Sequence, residues 1–151
     1  MEQVNFQQAM EYAIAKEREA SALYIRMANI STDVQAKSFL LEMSQEEQRH
    51  EQMLVTLTER GTLEGIGFAH PPDMKIVEYL KPTKPAPEMN YQESLLFAAQ
   101  REREAAEYYD HMAGLVSDAT ARDLFISLAS WELGHKAKVE TEYERYFMPE
   151  N

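Results

Sequence analysis

Cysteine is absent from this chain of 151 residues. Its absence excludes disulfide bonds, zinc–thiolate sites and iron–sulfur clusters, because each of these needs cysteine sulfur. A built-in electron carrier with cysteine-ligated iron is excluded for the same reason. If the chain has redox chemistry, its electrons are therefore expected from a separate electron-donor protein.

Glycine and proline are scarce, with five glycines and six prolines in the whole chain. Three of the glycines and all but one of the prolines lie in residues 61–89. Elsewhere Ala, Glu, Leu, Met, Gln and Arg predominate, and all of these are good helix formers. The composition predicts an all-α chain with one long linker over residues 61–89.

Long hydrophobic runs and excess positive charge are also lacking. No apolar stretch of about 18 residues is present and Met1 to Ala9 are polar, so we expect no membrane span and no secretory signal. The predicted location is cytoplasmic. The 15 basic residues are outnumbered by 26 acidic ones, which gives a net charge of −11. This charge argues against a nucleic-acid or anionic-membrane partner.

The size and hydrophobicity of the chain are those of one soluble globular domain over residues 1–151. Hydrophobic residues make up 44% of the sequence and charged residues 27%. A chain of this length can bury one sizeable core. Most of the glutamates are then interpreted as members of solvated helix faces.

The chain contains an internal duplication. Residues 13–58 align without gaps to residues 98–143 at an offset of 85, and 13 of the 46 positions are identical. The repeat is far longer than one solenoid unit. It predicts two copies of a helical hairpin, at about residues 5–60 and about residues 90–147.

The predicted helices begin at or near four polar residues, of which Asp33 is a good N-cap. These residues are Asn5, Asp33, Asn90 and Asp118. The first helix is expected to end near Ile30, the second before Gly61 and the fourth near Tyr146. Glu93, three residues after Asn90, adds a signal like a capping box.

The linker is long enough to return along the whole bundle. A helix of about 26 residues is roughly 39 Å long, and residues 61–89 can span that distance, with a short helix expected at 73–80. The linker therefore predicts a four-helix bundle with one long crossover, rather than four helices joined in simple up-and-down order.

Two Glu-x-x-His pairs and two single glutamates recur at the same offset, and they suit a two-metal carboxylate site. All lie on predicted core stripes: Glu17, Glu47, His50, Glu102, Glu132 and His135. Glutamates on a core stripe are costly unless a cation neutralises them. By contrast Glu19, Glu42, Glu51 and Glu104 lie off the stripes.

Height along the bundle supports the same site. Glu17 lies about 15 residues before the first hairpin turn and Glu47 about 15 after it, so antiparallel helices place them at one level. Glu102 and Glu132 stand in the same relation to the second turn. The two hairpins can then close around one point.

Charge and donor chemistry favour two iron or manganese ions. Four ionised carboxylates would repel one another, whereas two divalent cations balance them. Oxygen-rich ligation with one imidazole per metal suits iron or manganese. We expect Glu47 and Glu132 to bridge, with Glu17 and His50 completing one site and Glu102 and His135 the other. The alternative is a bundle that has lost its metals and keeps protonated glutamates.

Other side chains near this level have two interpretations. Tyr24 and Tyr109 are either hydrogen-bond donors or electron relays at the site, or ordinary core aromatics. Trp131 is interpreted as a packing residue facing another helix or subunit. His111 is expected at the surface and His70 in the linker.

These residues resemble the rubrerythrin family of ferritin-like di-iron proteins. The resemblance rests on Ala15-Lys16-Glu17-Arg18-Glu19-Ala20 and Gln100-Arg101-Glu102-Arg103-Glu104-Ala105, and on the segments Phe39 to His50 and Leu124 to His135. It implies a ferritin-like fold, a non-haem pair of iron ions and the six ligands named above. It also implies reduction of hydrogen peroxide or dioxygen, and a link to oxidative-stress defence.

The sequence departs from the family pattern in two places. Rubrerythrins carry a C-terminal rubredoxin domain, which is not found in this sequence. They also have an extra glutamate one turn after the ligand of the third helix, where this chain has Ala105. Glu107 lies about 140° around the helix from Glu102 and is a poor substitute. Rapid peroxide turnover is therefore the least secure implication of the resemblance.

Four functions stay open on the sequence alone. The first is a di-iron oxidoreductase that reduces hydrogen peroxide or dioxygen, expected as a homodimer. The second is a ferritin-like iron-storage protein with a ferroxidase centre. The third is an oxidase acting on an organic substrate, which needs an apolar access pocket. The fourth is a metal-binding protein without turnover.

Overall fold

Four helices make up the fold of the residues that the structure, a computed structural model, describes: 5–60 and 89–148. They are α1 (Phe6–Ile30), α2 (Val34–Arg60), α3 (Tyr91–Leu115) and α4 (Ala119–Phe147). No strand occurs in these residues, so the predicted all-α class is confirmed. None of these helices combines the length and apolar character needed to cross a bilayer.

All four helices begin with an N-cap, and the two predicted caps, Asp33 and Asn90, are among them. Asn5 and Asn90 each form a complete capping box. The Asn side chain accepts a hydrogen bond from the backbone N–H three residues later, and the side chain of that later residue accepts one from the Asn backbone N–H. Asp33 accepts from the backbone N–H of Ala36 at 2.9 Å, and Asp118 accepts likewise at the start of α4. Such caps satisfy backbone donors that the helix leaves unpaired.

The direction of the helices requires the long crossover. α1 and α2 form one antiparallel hairpin, and α3 and α4 form the other. Tyr24 bonds Glu102 while Glu17 bonds Tyr109, so α1 and α3 also run antiparallel. α2 and α3 are therefore parallel, and the end of α2 and the start of α3 lie at opposite ends of the bundle. The ferritin-like arrangement is confirmed, whereas residues 61–88, with the short helix expected at 73–80 and His70, lie outside the described residues.

The apolar core divides into two clusters, one at each end of the bundle. One joins the beginnings of α1 and α4 to the ends of α2 and α3, around Met10, Leu54 and Phe125. The other joins the opposite helix ends, around Leu40 and Leu95. Burial of these side chains provides the main favourable free energy of folding. Between the clusters lies a layer of buried acids. The apolar side chains of the two clusters carry no charge that could neutralise these acids.

Candidate metal centre

All four helices contribute to this central layer, and the structure brings all six predicted residues together there. The four carboxylates are almost inaccessible: Glu17 and Glu102 are 2% exposed, and Glu47 and Glu132 are 1% exposed. The imidazoles of His50 and His135 are nearly buried beside them. Buried glutamates at this density are rare unless they are paired with cations.

The ligand atoms form two overlapping groups of four. Glu17, Glu47, His50 and Glu132 each present one atom within 4.8 Å of the others, and so do Glu47, Glu102, Glu132 and His135. Glu47 and Glu132 belong to both groups. Two groups that share two carboxylates have the arrangement of a metal pair with bridging ligands.

Both histidines direct the same ring nitrogen into the centre. His50 Nδ1 lies 3.7 Å from Glu17 Oε2 and 3.9 Å from Glu132 Oε1. His135 Nδ1 lies 3.5 Å from Glu47 Oε1 and 3.7 Å from Glu102 Oε1. Each imidazole thus faces a carboxylate that both groups share and the single glutamate of its own group.

Unpaired donor atoms show that these residues fit a metal pair. Within the described part of the chain, Glu47 Oε2, His50 Nδ1, Glu132 Oε1 and His135 Nδ1 are buried without a hydrogen-bond partner. Buried polar atoms are normally paired. All four atoms belong to residues of these two groups, and carboxylate oxygen with imidazole nitrogen is the set of ligand atoms that suits iron or manganese.

The protonation equilibria reflect the crowding of four acids. Burial, followed by the charge of Glu17, raises the pKa of Glu47 to about 7. Burial and the neighbouring carboxylates raise the pKa of Glu132 well above its usual range. Without cations, the centre therefore retains protons that a bound metal would displace.

The histidines titrate in opposite directions. Burial and then the charge of His135 lower the pKa of His50 to about 4. Burial would also lower the pKa of His135, but its contacts with the carboxylates of Glu102 and Glu47 outweigh this and raise it to about 10.

The two core tyrosines link the repeats by crossed hydrogen bonds. Tyr24 Oη donates to Glu102 Oε1 at 3.2 Å, and Tyr109 Oη donates to Glu17 Oε1 at 3.1 Å. Burial raises the pKa of both phenols well above the usual value, so both stay protonated donors. The structure thus places them as donors to the single glutamates, and an electron-relay role stays a prediction.

Comparison with known proteins agrees with this geometry. The rubrerythrin family model matches residues 8–143, which include all six residues of the centre. The chain belongs to the rubrerythrin family. No curated protein and no solved structure matches the chain. Proteins of this family bind a pair of iron ions, so the Glu and His cluster lies where a rubrerythrin is expected to hold its metals.

A polar cleft between α1 and α3 leads from the surface of this rubrerythrin to the carboxylates. Its walls include Lys16 and Arg101, which occupy equivalent positions in the two repeats, and Ala20 and Ala105, which are also equivalent. The space for water-sized molecules is about 100 Å³. The small alanine side chains leave this face of the centre open.

In the part of the chain that the structure describes, Glu107 does not replace the family glutamate that is missing at Ala105. Glu107 is exposed and lies 3.7 Å from Arg103 in an ion pair on the surface. His111 is exposed as predicted. Ala105 therefore lines the cleft at the position where the family pattern given above has a glutamate.

Sequence reasoning missed one acid beside the centre. Glu46 Oε2 lies 3.5 Å from His135 Nε2, on the outer side of the ring. The repeat alignment pairs Glu46 with Trp131, the residue before the other bridging glutamate. This difference between the repeats was the feature of the sequence that could have pointed to Glu46. Trp131 itself packs by stacking on the His50 ring.

Proposed function

We propose that this rubrerythrin reduces hydrogen peroxide at two iron ions held by the six central residues. Glu47 and Glu132 would bridge, with Glu17 and His50 completing one site and Glu102 and His135 the other. The observation that supports this most is the pair of overlapping four-residue groups with unpaired donor atoms. When bound and reduced, an iron pair supplies the two electrons that convert hydrogen peroxide and two protons into two water molecules.

The protein's own residues balance charge and hold the ligands in place. Four carboxylates offset the charge of two divalent cations, so the buried layer becomes close to neutral. Tyr109 binds Glu17 Oε1, which leaves Glu17 Oε2 facing His50 Nδ1. The apolar clusters close the layer on the two sides that face the ends of the bundle. With no cysteine in the chain, the electrons would come from a separate protein.

The dimensions of the cleft favour a very small oxidant. The cleft offers water-sized molecules a space of about 100 Å³. Pockets for drug-sized organic molecules are about 300–1,000 Å³ and mostly apolar. The charged groups at the mouth, such as Lys16 and Arg101, also suit a polar oxidant better than an organic substrate.

The choice of oxidant tests this function. We expect reduced, iron-loaded protein mixed anaerobically in a stopped-flow instrument to oxidise at least about tenfold faster with hydrogen peroxide than with dioxygen, a difference of about 1.4 kcal/mol in activation free energy. The appearance of diferric absorbance measures both rates. Faster reaction with dioxygen would contradict peroxide reduction, and no reaction with either would leave a metal site without turnover.

Ferritin-like iron storage is the second candidate, and Ala105 is the observation that favours it. A centre without the extra family glutamate suits slow oxidation of incoming iron by dioxygen. Storage also needs a large hollow oligomer, so a solution mass near that of a monomer or dimer would exclude it. The homodimer and the cytoplasmic location stay predictions from the sequence.

The cleft gives a prediction about access. We expect Ala105→Leu to slow oxidation by peroxide about tenfold, an increase of about 1.4 kcal/mol in the barrier, because the larger side chain fills the route between α1 and α3. Metal content should stay at two ions per chain. Ala15→Leu, at an exposed position of α1, is the control. An unchanged rate in Ala105→Leu would mean that the oxidant enters elsewhere.

A further inference from the structure

The surroundings of the two histidines break the symmetry of the repeats. The ligands obey the offset of 85, but the residue before each bridging glutamate does not: it is Glu46 in α2 and Trp131 in α4. Each of these residues contacts the histidine contributed by the other hairpin. The two halves of the centre therefore have the same ligands and different supports.

On one half, His135 is held between carboxylates on both sides of its ring. Nδ1 faces Glu47 and Glu102 inside the centre, whereas Nε2 lies 3.5 Å from Glu46 Oε2 outside it. Glu46 is itself anchored, since its Oε1 accepts from Lys138 Nζ at 3.3 Å and from the guanidinium of Arg49. Its side chain is 19% exposed, so water screens this contact only partly.

On the other half, His50 is supported by stacking. Its ring lies 4.5 Å from the Trp131 ring at an interplanar angle of 26°, and 4.3 Å from the His135 ring. Across residues 5–60 and 89–148, the ion-pair contacts of His50 all use Nδ1. Stacking fixes the plane of the ring, but it does not polarise the outer nitrogen as a carboxylate does.

A carboxylate behind a metal-binding imidazole fixes its tautomer and raises its basicity, and loss of such a partner typically costs about 10–100-fold in metal affinity. We propose that Glu46 is a positioning residue that makes the half of the centre with Glu102 and His135 bind its divalent metal first and more tightly than the half with Glu17 and His50. This inference rests on the ligand assignment of the proposed function.

Metal binding tests the inference without any turnover. Metal-free protein would be titrated anaerobically with Mn²⁺ and followed by calorimetry. We expect two steps whose dissociation constants differ by about tenfold or more, and in Glu46→Gln the tight step should weaken by about 10–100-fold. Glu46→Gln keeps the size of the side chain at a partly exposed position, so the variant is expected to fold.

Three further variants assign the steps. Glu42→Gln is the matched control, because Glu42 is exposed and its carboxylate lies 4.0 Å from the same Lys138. The substitution removes the same charge as Glu46→Gln, and both binding steps should be unchanged. Glu102→Gln should abolish the tight step, whereas Glu17→Gln should abolish the weak one.

Failure of the inference can be told apart from failure of the proposed function. Two equal steps in the wild type, an unchanged tight step in Glu46→Gln, or equal weakening in Glu42→Gln would overturn the role of Glu46 while two metals still bind. Loss of the tight step in Glu17→Gln would reverse the order and overturn it as well. If the wild type binds no Mn²⁺, both this inference and the metal-pair assignment are wrong.

Discussion

Glu132→Ala is expected to leave the protein without tightly bound metal. Glu132 belongs to both four-residue groups, so one substitution removes a charged ligand from each. The change should cost each site more than the about 10–100-fold typical of losing a supporting residue. Glu47→Ala should behave in the same way for the same reason. Metal analysis by mass spectrometry after gel filtration gives the number of ions per chain.

Two other kinds of glutamate serve as controls for this prediction: a glutamate that belongs to only one four-residue group, and an exposed glutamate. Glu17 belongs to one group only, so Glu17→Ala should retain up to one ion per chain. Glu19→Ala, at an exposed acid on the same helix, should retain two. If Glu132→Ala and Glu47→Ala both keep two ions, neither carboxylate bridges a metal pair, and the assignment of the centre is wrong.

The six residues of the centre could be found from the sequence because their information is local and repeated. Helical spacing determines which residues share a core stripe, and the duplication supplies the same pattern twice. Acids on a stripe otherwise filled by residues such as Met10 and Leu95 stand out, because burial of a carboxylate needs a compensating charge. The information that determines the helix starts is also local, because Asn5 and Asn90 have their capping partners three residues later in the sequence.

The contacts between helices were not encoded in that pattern. Tyr24 follows Glu17 by seven residues in the same helix, yet its hydroxyl binds Glu102 of the other repeat. Which glutamate it reaches depends on the antiparallel approach of α1 and α3, and this is a property of the assembled bundle. The contact between Glu46 and His135 arises in the same way from the packing of α2 on α4, because Glu46 lies beside the core stripe.

The melting temperature of the metal-free protein is expected to fall as pH rises above 7, whereas that of the metal-loaded protein should stay nearly constant. Between pH 7 and pH 9 the metal-free protein should lose roughly 2 kcal/mol of unfolding free energy. At about 2–4 °C per kcal/mol for a protein of this size, its melting temperature should fall by about 5 °C. Loading both sites at 1,000 times the dissociation constant adds about 4 kcal/mol per site. The metal-loaded protein should therefore melt at least about 10 °C higher, with a difference that grows as pH rises.

The sign follows from the directions of the pKa shifts. Glu47, with a pKa raised to about 7, and His135, with a pKa raised to about 10, bind protons more firmly in the folded chain than in the unfolded one. Their contribution to stability is present at low pH and is lost as pH rises through these values. The lowered pKa of His50 acts in the opposite sense. It makes the protein more stable as pH rises only up to about pH 6.5, the pKa of His in the unfolded chain. It therefore does not offset the loss of stability between pH 7 and pH 9.

Metal removes the slope because it takes the place of the protons. Binding requires deprotonated carboxylates and neutral imidazoles, so the apparent affinity increases with pH. Calorimetric melting of both forms at pH 7, 8 and 9 measures the two slopes. Glu132→Gln is the matched variant: it removes one ionisable acid from the layer, so its metal-free form should show a shallower slope and little response to added metal. Metal-free wild type that becomes more stable from pH 7 to pH 9 would mean that the four carboxylates are not crowded as the structure places them.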